Sequence, residues 1–251
     1  MLRRFLITTA LVSLAGGSAL AADLPNQKGP PVFTPPPPPP PAFTWSGVYI
    51  GGQVGYQWSA HSQSPNVFDP TGAFVTSLPG SSPRGIVGGG HVGYNFQVAQ
   101  FVFGLEGDVD GSSYSGGNGS GIIGYTDREP VEASIRGRVG YAWDRLLIYG
   151  TGGVAFGDFH DTYFSPLGVD SIWHEHTGWT AGAGLEYAIT NNWSLRGEYR
   201  YSDFGHISDP LTASFAPGAT ATRHETDHRV QVGFSYKFDL FEPPAPVVSK
   251  Y

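Results

Sequence analysis

Two sets of residues carry most of the chemistry this chain could perform. The first is a series of charges spaced two apart: Glu106, Asp108 and Asp110; Arg136 and Arg138; Arg196, Glu198 and Arg200. Side chains at i and i+2 share one face of an extended chain. With Glu132, Glu186, Arg229 and Lys237 in equivalent positions, the set holds six acids and six bases. Carboxylate with guanidinium makes the strongest charge-assisted pairs, so the chemistry indicated is mutual neutralisation. The second set is Trp173-His174-Glu175-His176, where two histidines flank a carboxylate. Such a group could hold a divalent metal or haem in a loop; a solvated loop is the plainer reading. No convergent Ser-His-Asp or paired-carboxylate constellation appears, so no enzyme is indicated. The absence of Cys removes thiol nucleophiles, thiolate metal sites and disulfides, and no cofactor is called for. Gly88-Gly89-Gly90-His91-Val92-Gly93 satisfies a dinucleotide-binding pattern, but strand alternation follows it where a helix would be required. Asn118-Gly119-Ser120 matches a glycosylation acceptor, a very weak pattern.

The elements that must position these charges have a period of two. Charged residues are 14% and apolar residues 40%, while glycine (36 residues) and aromatics fill the gap. That combination marks many-stranded barrels. Eight segments alternate apolar with polar: 46–58, 85–98, 101–112, 131–143, 146–157, 178–189, 193–202 and 228–238. The fifth is the least clean, because Leu147 and Tyr149 interrupt its polar face. Connections at Ala99-Gln100, Asp144-Arg145 and Thr190-Asn191-Asn192 are short. Those near 59–84, 113–130, 158–177 and 203–227 are long and rich in Gly, Ser, Pro and Asp. Short turns at one end and long loops at the other are what an up-and-down outer-membrane barrel requires. The expected fold is therefore all-β: an eight-stranded antiparallel transmembrane barrel with short periplasmic turns and four long extracellular loops.

Lipid decides which face points where. Backbone groups in hydrocarbon must pair internally, so the sheet closes on itself and its apolar face turns outward. Phe101, Trp143, Tyr187 and Trp193 then gather at the short-turn end, and Trp58, Trp179 and Tyr201 at the long-loop end. Amphipathic rings at two depths are the interfacial girdles of a membrane barrel. The charged set faces a lumen which, with eight strands, is just wide enough for side chains to fill. Inward glycines such as Gly51, Gly55, Gly93 and Gly140 make room for the long ones. The expectation is a salt-bridged plug.

The chain ends are of a different kind. Residues 1–21 have the charged start, apolar stretch and Ala-Leu-Ala site of a signal peptide. Residues 22–44 form a proline-rich periplasmic linker, with seven prolines from Pro35 to Pro41 favouring a stiff extended spacer. The barrel occupies 45–238, and 239–251 is a proline-containing tail. No apolar run is long enough for a helical span. A net charge of −7 without a Lys/Arg run argues against nucleic acid as a partner.

These segments resemble a known group: small alphaproteobacterial outer-membrane barrels, the RopB-type surface antigens within the wider OmpA-like and opacity-porin superfamily. The carriers are Trp45-Ser46-Gly47-Val48-Tyr49-Ile50-Gly51-Gly52, Ile135-Arg136-Gly137-Arg138-Val139-Gly140-Tyr141-Ala142, Tyr149-Gly150-Thr151-Gly152-Gly153-Val154-Ala155-Phe156 and Trp193-Ser194-Leu195-Arg196-Gly197-Glu198-Tyr199-Arg200-Tyr201. Val232-Gly233-Phe234-Ser235-Tyr236-Lys237-Phe238 looks like the closing signal read by the barrel-assembly machinery. The long proline spacer and the extension after Phe238 depart from the group. The resemblance implies a cell-outer-membrane protein of a Gram-negative envelope, exposed at the surface and often immunogenic. Its partners would be outer-membrane lipid and lipopolysaccharide, the assembly machinery, and host or cell-wall components. It leaves three roles open: a structural surface barrel, a narrow porin, or a loop-borne receptor for haem or a host ligand.

Overall fold

Residues 43–119 and 122–238 are described by a computed structural model, and the elements they form are all β-strands. In chain order these are β1 (Gly47–Ser59), β2 (Asn66–Phe68), β3 (Phe74–Ser77), β4 (Arg84–Val98), β5 (Phe101–Gly119), β6 (Gly124–Trp143), β7 (Leu146–Ser165), β8 (Gly168–Ala188), β9 (Trp193–Leu211) and β10 (Ala219–Lys237). The signal-peptide, tail and most linker assignments, and Ser120 of the glycosylation match, lie outside the described residues.

Eight antiparallel strands form a ring in the order β1-β4-β5-β6-β7-β8-β9-β10. It closes by pairing of β1 with β10, from Tyr49↔Lys237 to Ser59↔Asp227. Closure leaves no sheet edge in the hydrocarbon, where each unpaired backbone group would cost several kcal/mol. Where β1 ends, β2 takes over the edge of β10 through Thr220↔Phe68 to Thr222↔Asn66, and β3 pairs with β2. The two shortest turns each place their first residue in the left-handed region, Ala99 at φ 54° and Asp144 at φ 52°.

The alternation is inside out relative to a soluble protein. Ile50, Val54, Ile86, Leu105, Val109, Ile135, Ile148, Leu185, Leu195 and Val232 are exposed, while the largest fully buried side chains are Arg136, Arg138, Arg200 and Arg229. The exposed apolar belt runs up to Ile86, Val109, Val131, Phe156, Trp179 and Val230. Below that level the strands span the membrane; above it they continue in water.

That continuation departs from the loop boundaries read from sequence. Most of 113–130, 158–177 and 203–227 is paired strand, so β5 to β10 run 19 to 21 residues where about 11 suffice to cross hydrocarbon. Beyond the membrane both faces can be polar, so the contrast that marks a strand vanishes although the pairing persists.

Among the described residues, apolar side chains in the lumen gather mainly toward its ends, with a smaller group of Ala155, Phe159, Phe204 and Ile207 on the wall of β7 and β9. At the short-turn end Trp45, Val102, Ala142, Leu147, Tyr149 and Ala188 pack together. The Trp45 backbone N–H donates to Gln97 Oε1 at 2.8 Å, and its indole N–H donates to the Asp144 carbonyl at 3.2 Å. This explains the irregular fifth segment: Leu147 and Tyr149 point inward to the basal cluster while Ile148 faces lipid. At the far end the connection from β1 to β4, which carries β2 and β3, tucks in Val67 and Leu78 against Tyr125, Tyr163, Leu211 and Ala221.

Candidate functional site in the barrel lumen

Inward positions of β5, β6, β8, β9 and β10 stack the expected charges into a ladder along the axis. Lowest, Arg138 pairs with Glu186, which also accepts from Ser194 Oγ at 2.5 Å. The Arg138 guanidinium lies 3.7 Å from the centroid of the Tyr149 ring. Above it, Arg136 reaches Glu106 Oε1 at 2.6 Å, Glu198 Oε1 at 2.7 Å and Asp108 Oδ2 at 3.1 Å. Arg196 on β9 crosses the lumen to Glu106 Oε2 on β5 at 2.6 Å, and Arg200 crosses likewise to Asp108 Oδ1 at 3.0 Å. Tyr49 and Tyr149 hydroxyls donate to Glu106 and Glu198 at 2.8 and 3.0 Å. Uppermost in the belt, Arg229 holds Asp110 Oδ2 at 2.8 Å and also Glu132 on the opposite wall.

Eleven of the twelve charges assigned from sequence meet in this ladder. The twelfth, Lys237, sits at the short-turn rim, where its ammonium donates to the Thr44 carbonyl and lies 4.9 Å from the centroid of the Phe43 ring. Neutral side chains complete the layer. The two ring nitrogens of His91 lie 2.8 Å from Gln53 Oε1 and 2.9 Å from Ser235 Oγ.

A second charged layer lies above the membrane, and sequence reading missed it. Arg223 on β10 contacts Asp161 Oδ2 at 2.5 Å, Asp209 Oδ2 at 3.1 Å and Glu225 Oε2 at 3.3 Å. Tyr163 donates to Asp209 at 2.6 Å and Ser81 to Asp127 at 3.0 Å. Burial is the main cause that pushes the Asp161 carboxyl up to about 8, against the pull of Arg223 and with the help of Asp209. Burial likewise pushes Glu225 up to about 7. Among the described residues thirteen carboxylates and six arginines are buried, so the lumen is acidic overall. Within the spanning ladder the balance is nearly even, six acids against five arginines, because Lys237 stands at the rim. A visible signal did exist: Arg223, Glu225, Asp227 and Arg229 keep a spacing of two straight through the segment read as loop.

Trp173-His174-Glu175-His176 requires a correction. These residues lie in β8, paired with β7 through Phe159↔His174 and Gly157↔His176. Trp173 faces outward and stacks on His160 at 3.9 Å, whereas His174 turns inward, with ring nitrogens 3.4 Å from both Asp161 and Asp209. Burial holds both histidines below their usual range. The pair is therefore part of the apical lumen wall and not of a surface loop.

The seven girdle aromatics are outward. Phe101 pairs with Tyr141, and Tyr187 lies opposite Leu146 beside the basal turns. Trp193 packs on Tyr236 at 5.1 Å at the same level, and Trp143 is the most exposed of them, at 79%. At the other rim Trp179 meets Tyr201 at 5.5 Å, and Trp58 meets His228 at 5.7 Å.

Comparison with known proteins is consistent with this geometry. The model of the outer membrane protein beta-barrel domain matches residues 8–238. The chain is 34% identical over 248 residues to the 31 kDa outer-membrane immunogenic protein of Brucella melitensis, covering 92% of this chain and 98% of that one. It is 33% identical to the 25 kDa outer-membrane immunogenic protein of Brucella abortus (94% and 99%). With the 22 kDa outer membrane protein of Rhizobium leguminosarum it shares 32% identity (78% and 80%).

Proposed function

We propose that this chain, which belongs to the outer membrane protein beta-barrel domain family, is a structural barrel of the envelope whose lumen is closed to solutes by its ion pairs. The observation that carries the reading is the triple hold of Arg136 on Glu106, Asp108 and Glu198, which draws β5, β6 and β9 together across the axis. A free charge in so narrow a tube is strongly disfavoured, and opening a path means breaking several desolvated pairs at once. The apolar clusters at both ends support the same reading. The aromatic rims suit contact with outer-membrane lipid and lipopolysaccharide. The terminal strand through Phe238 suits recognition by the barrel-assembly machinery. Extension of six strands beyond the membrane, with the surface location implied by immunogenic relatives, suits contacts with host or cell-wall components. No reaction is assigned to it.

Planar-bilayer recording on refolded protein tests the closure. No stable current steps are expected at neutral pH; reproducible steps would overturn the closed lumen in favour of a narrow pore.

A further inference from the structure

We propose that Glu129, Glu132 and Asp227 form a divalent-cation site, suited to Ca²⁺, that ties opposite walls of the barrel together where the lumen leaves the membrane. The three carboxylates are each about 1% exposed, and one oxygen of each lies within 4.8 Å of the others. Asp227 is the decisive member: neither of its oxygens has a hydrogen-bond partner, and no cationic side chain pairs with it among the described residues. Glu129 and Glu132 each leave Oε1 bare as well. Their other oxygens are held, Glu129 Oε2 by Gln57 at 2.8 Å and Glu132 Oε2 by Arg229. Each glutamate is thus fixed on one side and presents one oxygen without a hydrogen bond, that of Glu132 lying 3.7 Å from the Arg200 guanidinium.

Backbone irregularities build this arrangement. Strand β6 shifts register between Arg128 and Val131, which turns both Glu129 and Glu132 inward. Strand β10 shifts between Glu225 and Thr226, immediately before Asp227. Bulges re-aim side chains, and two of them converge here from opposite sides of the ring. The positive charges nearby are already engaged. Arg229 is shared between Asp110 and Glu132, and Arg200, 3.7 Å from Glu132 Oε1, is shared with Asp108 and Glu198.

The donor set is carboxylate oxygen alone, which selects a hard cation. Ca²⁺ takes oxygens at about 2.3–2.6 Å, so two ligands across it sit roughly 4.6–5.2 Å apart. Mg²⁺ requires about 2.0–2.1 Å and near-octahedral order and usually keeps several waters, so a cage of protein carboxylates suits it less. A second cluster, Asp161, His174 and Asp209, also has oxygen and nitrogen atoms within reach of one another. There the Arg223 guanidinium already touches both carboxylates and occupies the position of a cation.

The test uses full-length protein folded in lipopolysaccharide-free micelles, with Ca²⁺ or with EDTA, so that a slowly exchanging site is filled or emptied during folding. One Ca²⁺ per chain should bind and raise the unfolding temperature. Asp227→Asn should weaken binding at least about tenfold and remove the rise; in EDTA it should be no less stable than wild type, because a bare buried charge is gone. If Asp227→Asn does not fold, Glu129→Gln carries the same prediction. Asp161→Asn should leave Ca²⁺ affinity unchanged. The site is overturned by wild-type protein that binds no Ca²⁺, by Asp227→Asn binding as wild type, or by Asp161→Asn abolishing binding. Mg²⁺ binding as tightly as Ca²⁺ would overturn the choice of ion.

Discussion

Replacing Arg136 by methionine is expected to destabilise the folded barrel by about 3 kcal/mol. The guanidinium makes three short contacts to Glu106, Glu198 and Asp108, and a hydrogen bond to Thr151 at 3.1 Å. Removing one partner from a buried pair costs about 3–5 kcal/mol because a charge is left behind. The lower end applies here: Glu106 keeps Arg196 at 2.6 Å, Asp108 keeps Arg200 at 3.0 Å, and Glu198 keeps Arg200 at 3.4 Å. Methionine fills most of the vacated volume, so the loss reports charge and not a cavity. Reversible urea unfolding in lipid vesicles, followed by Trp fluorescence, measures it. The double variant Arg136→Met/Glu198→Gln should recover about 1 kcal/mol or more, because one of the orphaned carboxylates is neutralised while the new amide oxygen can accept from Gln231 and the amide N–H can donate to the Tyr149 hydroxyl. A single-variant loss below about 1 kcal/mol, or strict additivity in the double, would refute an ion ladder that holds the walls together.

Three further outcomes are expected. Leu105→Arg puts a charge on the lipid face near mid-membrane, at a cost of about 2–4 kcal/mol, so the yield of folded, heat-modifiable protein should collapse; normal yield would contradict the facing. Gly51→Ala should also fail to fold, since a Cβ there would be driven into the Phe234 carbonyl and the His91 ring. Gly197→Ala, which meets nothing within 4 Å, should fold normally. The apical layer should lose stability as pH rises from about 6.5 to 8.5. Asp161 and Glu225 have folded values raised to about 8 and about 7, so over this range the folded state holds more protons than the unfolded chain. His174 and His176, held below their ordinary value by burial, contribute in the opposite sense in the lower part of this range, so the loss is read between about pH 7.5 and 8.5, where an unfolded imidazole is already mostly neutral. Amide exchange of β7 and β10 in EDTA measures the loss, and Asp161→Asn should flatten it.

The membrane belt was legible from sequence because hydrocarbon imposes a strict contrast. Ile135 and Arg136, or Leu195 and Arg196, cannot exchange faces without burying a charge in lipid. Strand ends were legible at the basal turns, where Ala99-Gln100 and Asp144-Arg145 interrupt the alternation abruptly. Two regions followed other rules. At the base the lumen turns apolar, so Leu147 and Tyr149 looked like errors in the pattern when they belong to the packing around Trp45. At the apex the outer face turns polar: Thr126, Arg128, His160 and His224 face water opposite Asp127, Asp161 and Glu225, and no periodicity of hydrophobicity remains. The acid-rich layer and the true position of His174 lie in that region. Lys237 shares the parity of the ladder but stands at its rim, because parity fixes a face and says nothing of depth.

Leu195 and its equivalents point to acyl chains while their neighbours point to the axis. The chain has no Cys, so single nitroxide labels can be placed cleanly at Leu195→Cys and at the lumen position Ser134→Cys in vesicle-embedded protein. Dissolved oxygen should relax the Leu195 label strongly while a water-soluble nickel chelate leaves it untouched, and the Ser134 label should respond weakly to both. A Leu195 label shielded from oxygen, or relaxed by the nickel chelate, would contradict the account.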